Sequence, residues 1–159
     1  MRVTRRTTHD RRHPAPPRAR GPLLFVYGTL RPGAGTRMAA WLAARAEHLG
    51  PAHTPGRLYD LGAYPGFVDA RLPGECVHGD LYRLRSTAAW RALDDYENGG
   101  ATVGAADFVC VRRAVHPAGG GRVDACLYLY RGPLRGARRI ASGDWLAASG
   151  GGIMSGVGK

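Results

Sequence analysis

Six residues near the start of the chain, Pro22 to Tyr27 (PLLFVY), form a continuous apolar run that Gly28 stops. A short run without alternation is the pattern of a strand buried on both faces. Whatever this chain folds into must therefore cover one early strand from two sides. A loop with Pro32, Gly33 and Gly35 follows, and Thr36 is placed to cap a helix through about Ala46. Met38, Trp41, Leu42 and Arg45 fall on one stripe of that helix, an ordinary amphipathic pattern.

Strand and turn signals fill the next stretch, residues 47–85. Arg57–Leu61 and Gly66–Val68 read as short strands broken by Gly62 and by Tyr64-Pro65-Gly66, and Cys76–Leu84 alternates more cleanly. Ser86 is a good N-cap for a second helix to about Glu97, with Asn98-Gly99-Gly100 as its C-cap signal. Phe108–Val115 and Arg122–Arg131 read as strands joined by a hairpin connection at residues 116–121. From Gly132 onward the chain reads as Gly-rich and irregular, with Ile140 and Trp145 as anchors. Two helices set among strands, without β-α-β alternation, predict an α+β domain with a curled, mixed or antiparallel sheet.

Charge is the conspicuous compositional feature. The 159 residues carry 23 Lys+Arg against 12 Asp+Glu, a net +11. Taken alone, that points to a polyanionic partner. Residues 1–20, however, hold seven Arg and one Asp, so more than half of the excess lies in an eighth of the chain. That arm lacks large apolar residues and contains Pro14, Pro16 and Pro17, so it reads as disordered. Its Arg pairs resemble a twin-arginine signal, but no apolar segment or small-residue cleavage site follows, so export is rejected. Every basic residue except Lys159 is Arg, and 24 residues are Gly. This is the bias a GC-rich genome produces without any function, and it outweighs nucleic-acid binding as a reading. No stretch approaches a membrane span. Three Cys (Cys76, Cys110, Cys126) without CxxC spacing read as small buried strand residues in a reducing cytoplasm. His48, His53, His78 and His116 have no partner at ligand spacing, and His9 and His13 lie in the arm, so no metal site is expected.

Two segments carry chemistry. On the second helix, successive residues turn about 100°. Glu97 then falls between Trp90 and Leu93 in direction, at the end of the face that packs on the sheet. A carboxylate forced into an apolar face is desolvated and its pKa rises toward that of a working general base. Equally, a frayed helix end would turn Glu97 into water. The second segment is Tyr27-Gly28-Thr29-Leu30-Arg31-Pro32-Gly33. A buried strand ending in such a turn presents backbone N–H groups that can receive an anion or a polarised carbonyl oxygen. It is not a P-loop, because Ala34 and Gly35 stand where Lys and Ser/Thr would be needed.

Phe25-Val26-Tyr27-Gly28-Thr29-Leu30-Arg31 resembles the strand-loop signature of the γ-glutamylcyclotransferase-like family. That family includes γ-glutamylamine cyclotransferases and the deglutamylating enzyme of butirosin biosynthesis. Pro55–Tyr59 with Tyr64-Pro65-Gly66, Gly79-Asp80-Leu81-Tyr82, Leu93-Asp94-Asp95-Tyr96-Glu97, and Leu127–Tyr130 with Ser142-Gly143-Asp144-Trp145 resemble further family segments in order. The resemblance covers about residues 22–146. It implies a small mixed β-barrel with two main helices spanning 21–147, between the basic arm 1–20 and a flexible tail 148–159. It implies Glu97 as the catalytic general base and acid, and the backbone of Tyr27, Gly28, Thr29 and Leu30 as the binder of a γ-glutamyl moiety. Tyr128 lines the cavity through its hydroxyl or is a half-buried strand tyrosine. The implied reaction releases 5-oxoproline and a free amine or amino acid from a small-molecule γ-glutamyl substrate, without cofactor or metal, in the cytoplasm. The stretch from Asn98 to Asp107 departs from the family's Pro/Tyr-containing pattern, and Phe108-Val109-Cys110 lacks the family's Arg. A non-catalytic ligand-binding relative and a basic nucleic-acid-binding module are the competing readings. The oligomeric state and the leaving group are not legible.

Overall fold

The computed structural model describes residues 22–98 and 107–149, without the side chains of residues 94–98. The strands are β1 (Leu23–Val26), β2 (Ala46–Pro55), β3 (Arg57–Asp60), β4 (Pro65–Val68), β5 (Cys76–Leu84), β6 (Phe108–Pro117), β7 (Val123–Tyr130) and β8 (Arg138–Arg139). The helices are α1 (Arg37–Arg45) and α2 (Thr87–Asn98), with a 3-10 turn at Pro32–Ala34.

β1 pairs antiparallel with β5 on one side and parallel with β7 on the other. The order β1-β5-β2-β6-β7 therefore returns to β1 and closes a five-stranded barrel, from which β4, β3 and β8 extend beyond β7. This is the small mixed barrel of an α+β protein. Closure explains the unbroken apolar run. Phe25 packs inside the barrel with Leu81, Val115 and Leu127, while Leu24 and Val26 pack on the outer face with Leu42 of α1 and Leu93 of α2. One strand thus serves two cores.

Both helix starts follow the local sequence. The Thr36 hydroxyl accepts from the Ala39 N–H at 3.0 Å, and the Ser86 hydroxyl accepts from the Ala89 N–H at 3.1 Å. Ala39 and Leu42 are the buried residues of α1. Arg45, expected on the buried stripe, is exposed and lays its guanidinium over the Trp41 ring at 4.8 Å. The proposed C-cap glycines Gly99 and Gly100 lie outside the described residues.

Several expectations need correction. β2 is a ten-residue strand that no sequence signal singled out. Gly50 and Pro51 interrupt its pattern; the structure absorbs them at a register shift between His48 and Gly50, where Gly50 takes φ +113°. The chain after Gly132 is not wholly irregular. β8 pairs with β3, and Ile140 is buried and donates its N–H to the Leu58 carbonyl at 2.8 Å. Residues 145–149 are helical. None of the three cysteines is buried: Cys110 is exposed and the other two are partly covered. Cys110 has the same strand parity as exposed Arg112, so it points away from the barrel. Among the described residues, no helix is long and apolar enough to cross a membrane.

Candidate functional site

The site begins where β1 runs out of neighbour. β7 pairs in parallel with β1 at Leu24↔Cys126 and with β4 at Phe67↔Leu129. Between those two positions the strand passes from one partner to the other, and Tyr27 fills the handover. Its hydroxyl donates to the Tyr128 carbonyl at 2.5 Å, and its ring lies 5.5 Å from that of Phe67. Tyr27 thereby ties the end of β1 to β7 by a side chain where the backbone ladder has stopped.

Gly28 follows because nothing larger fits. A Cβ there would lie 2.6 Å from Pro65 Cγ, well inside contact distance. The Gly28 carbonyl accepts from the Arg31 N–H at 3.0 Å, which closes a four-residue turn. The Thr29 carbonyl accepts from the Thr36 hydroxyl at 2.6 Å, so the residue that caps α1 also holds the loop. Leu30 is buried on the helix side of the sheet. Among the described residues, the amides of Gly28, Thr29 and Leu30 donate to no protein acceptor. The turn therefore presents three N–H groups on a fixed backbone.

Arg31 does the fixing. Its Nε donates to Asp80 Oδ2 at 2.8 Å and its Nη1 to Asp144 Oδ1 at 3.0 Å. The other Asp80 oxygen lies 2.9 Å from His48 Nε2. Asp80 is one of two buried polar or charged side chains among the described residues, and a buried carboxylate persists when paired and hydrogen-bonded. Gly79 next to it is also a requirement, since a Cβ there would run into the Val26 carbonyl. None of Arg31, Asp80, His48 and Asp144 emerged as a site residue from the sequence. Asp80 and Asp144 stood inside quoted segments, but no spacing rule joins them to Arg31.

Tyr128 is buried, at 4% exposure, in the helix-side cluster with Leu30 and Leu93. Glu97 belongs by backbone to the last turn of α2, and its side chain, like those of Asp94 and Asp95, lies outside the described residues. So do residues 99–106, the departing stretch. The last described position on the packed face of α2, Leu93, is fully buried.

The histidines show what spacing alone misses. His53 pairs across strands with His78 on β5 and with His116 on β6. The ring centroids lie 6.2 and 5.2 Å apart, respectively. Partial burial, then the neighbouring His116 and His78, holds the His53 pKa below the usual histidine value. Among the described residues, no group of three His, Cys, Asp or Glu side chains is arranged to hold a metal ion.

With this geometry in view, comparison with known proteins is decisive for the family. Residues 24–147 match the family described as "Gamma-glutamyl cyclotransferase, AIG2-like". The chain belongs to that family. It is 34% identical over 125 residues to the gamma-glutamylcyclotransferase family protein YtfP of Escherichia coli K12, covering 77% of this chain and 95% of YtfP. The solution structure of E. coli YtfP superposes with a TM-score of 0.52 at 30% identity, covering 80% of this chain and 98% of that one. A crystal structure from Pyrococcus horikoshii shares the fold with a TM-score of 0.60 at 22% identity, covering 81% and 93%. Family membership supports a γ-glutamyl cyclotransferase-like function, and its matched span contains the Tyr27–Leu30 turn, Asp80, Glu97 and Asp144.

Proposed function

We propose that this chain is a γ-glutamyl cyclotransferase that releases 5-oxoproline and an amine or amino acid from a γ-glutamyl compound. The observation that carries the reading is the Gly28–Leu30 turn, whose amides have no acceptor of their own among the described residues and whose backbone is held by Arg31 and Thr36. Preorganised N–H groups of this kind stabilise negative charge developing on a carbonyl oxygen, and they equally well grip a carboxylate.

Glu97 is the proposed general base. It follows fully buried Leu93 by four residues on α2, the helical spacing of one face. The substrate's α-ammonium loses a proton to Glu97, and the freed nitrogen attacks its own γ-carbonyl. The attacking nitrogen gives up its second proton as the tetrahedral adduct forms, and the carbon–nitrogen bond to the leaving group breaks as Glu97 returns its proton to the departing nitrogen; the amine takes up the second proton and leaves as an ammonium. The sum is one γ-glutamyl compound converted to 5-oxoproline and one amine, with no net proton uptake at Glu97. Ring closure is intramolecular, so holding the glutamyl arm folded supplies much of the acceleration. Tyr27 and Tyr128 shape the site in this reading, and residues 21–147 form the catalytic domain of a cytoplasmic protein.

The test is incubation of the protein with a panel of γ-glutamyl amines and γ-glutamyl amino acids, followed by detection of 5-oxoproline. Glu97→Gln should lower kcat by at least about 100-fold, the lower end of what general acid–base catalysis supplies. Absence of product from every substrate, or full activity in Glu97→Gln, overturns the reading.

A further inference from the structure

Cyclisation needs a place for the half of the substrate that leaves. A groove of about 560 Å³ is walled by Tyr64 and Tyr130 and rimmed by Asp60, Arg135 and Arg138. That volume is in the range of small-molecule sites. The groove is linked to the Gly28 turn through Pro65. Tyr64 precedes Pro65, the residue pressed against Gly28. Tyr64 and Tyr130 both pack on Phe108, with ring centroids 5.8 and 5.2 Å away. Tyr130 has the same strand parity as Tyr128, and both belong to the helix-side packing of the sheet.

The charges of the groove are unequal. Arg138 stands 3.7 Å from Asp60 and is partly answered by it. Asp60 is also occupied with the Gly62 amide at 2.8 Å. Arg135 is exposed, lines the same groove, and forms no hydrogen bond or ion pair among the described residues. The Tyr130 hydroxyl is turned to the Pro133 carbonyl at 3.0 Å, so it braces the segment that carries Arg135. An aromatic-walled groove with one unanswered guanidinium suits a short organic group ending in an anion. Guanidinium groups bind carboxylates through paired N–H donors.

We infer that this groove is the leaving-group subsite and that Arg135 is a specificity residue selecting leaving groups that carry a carboxylate. The inference rests on the cyclotransferase reading and adds the side of the substrate that reading leaves open.

The test uses the full chain and two probes that differ in one group, γ-glutamylalanine and γ-glutamylalaninamide. A solvent-exposed guanidinium–carboxylate pair changes affinity by up to about fivefold. The acid should therefore exceed the amide in kcat/KM by a few-fold, up to about fivefold. Arg135→Ala should collapse that ratio through KM, and Arg135→Lys should keep part of it. A ratio near one in the parent chain, or a ratio unchanged in Arg135→Ala, overturns the inference. Equilibrium binding of both probes to Glu97→Gln separates the two readings. Tighter binding of the acid together with no 5-oxoproline from the parent chain sinks cyclisation and leaves the subsite standing. Equal binding of acid and amide sinks the subsite, and binding of neither sinks both.

Discussion

Two arginine–aspartate pairs in this protein invite opposite judgements from geometry and from position. Arg113 grips Asp69 with two hydrogen bonds of 2.9 and 3.0 Å, the forked arrangement that arginine makes best. Arg31 makes a single bond to Asp80 at 2.8 Å and sends its other arm to Asp144. By bond count Arg113 has the better pair. Yet the Asp69 side chain is 54% exposed, whereas that of Asp80 is 10% exposed. Water can replace Arg113 when it is lost; it cannot easily replace Arg31. The lesson is that burial, not fork geometry, decides which pair matters, and the buried one sits under the proposed catalytic turn.

The largest expected effect is therefore Arg31→Ala. Breaking a buried pair by removing one partner costs about 3 kcal/mol, with His48 still beside Asp80 to soften it. Denaturant unfolding should show that loss, and 5-oxoproline formation should fall along with it, because the turn loses its anchor. Arg31→Lys keeps the charge but not the fork to two carboxylates, so it should lie between the parent and Arg31→Ala. If Arg31→Ala unfolds with an unchanged midpoint, the buried pair carries no stability and the comparison breaks.

Arg113→Ala should cost less than about 1 kcal/mol, because the pair is exposed and screened. Its activity should match the parent. A stability loss equal to that of Arg31→Ala would reverse the ranking.

The smallest effect is in pH dependence. The Arg113 hydrogen bond, opposed by desolvation and assisted by the charges of Arg113 and Arg57, holds the Asp69 carboxyl below its usual value. A carboxyl with a lowered folded-state pKa binds fewer protons when folded than when unfolded. Its stabilisation is present above the unfolded pKa, about 4, and is lost as pH falls through the folded value. Melting temperatures of the parent and of Asp69→Asn should differ slightly at pH 6 and converge toward pH 3. A difference that widens on acidification would contradict the sign.

The same contrast marks how far the sequence could be read. The two N-caps, Thr36 and Ser86, follow from residues within three positions of each other. The double burial of Leu24, Phe25 and Val26 follows from an unbroken apolar run. β5 was legible because it alternates, and β2 was not because Gly50-Pro51 breaks the pattern that a register shift later absorbs. The turn at Tyr27–Leu30 was legible as a turn, and its chemistry came from resemblance to a family whose segments keep their order. Arg31, Asp80, Asp144 and His48 were not legible as a group, nor was the groove around Arg135.

What the sequence by itself determined are the features set within a few residues: which segments bury which face, where helices start, and where the first strand stops. What only the tertiary structure decided is who meets whom. Arg31 reaches partners 49 and 113 residues away, and three histidines without ligand spacing meet across three strands. The physical reason is range. Caps and periodicity act through the local backbone, while the partner of a charge is chosen by strand order and barrel closure, which are properties of the whole chain.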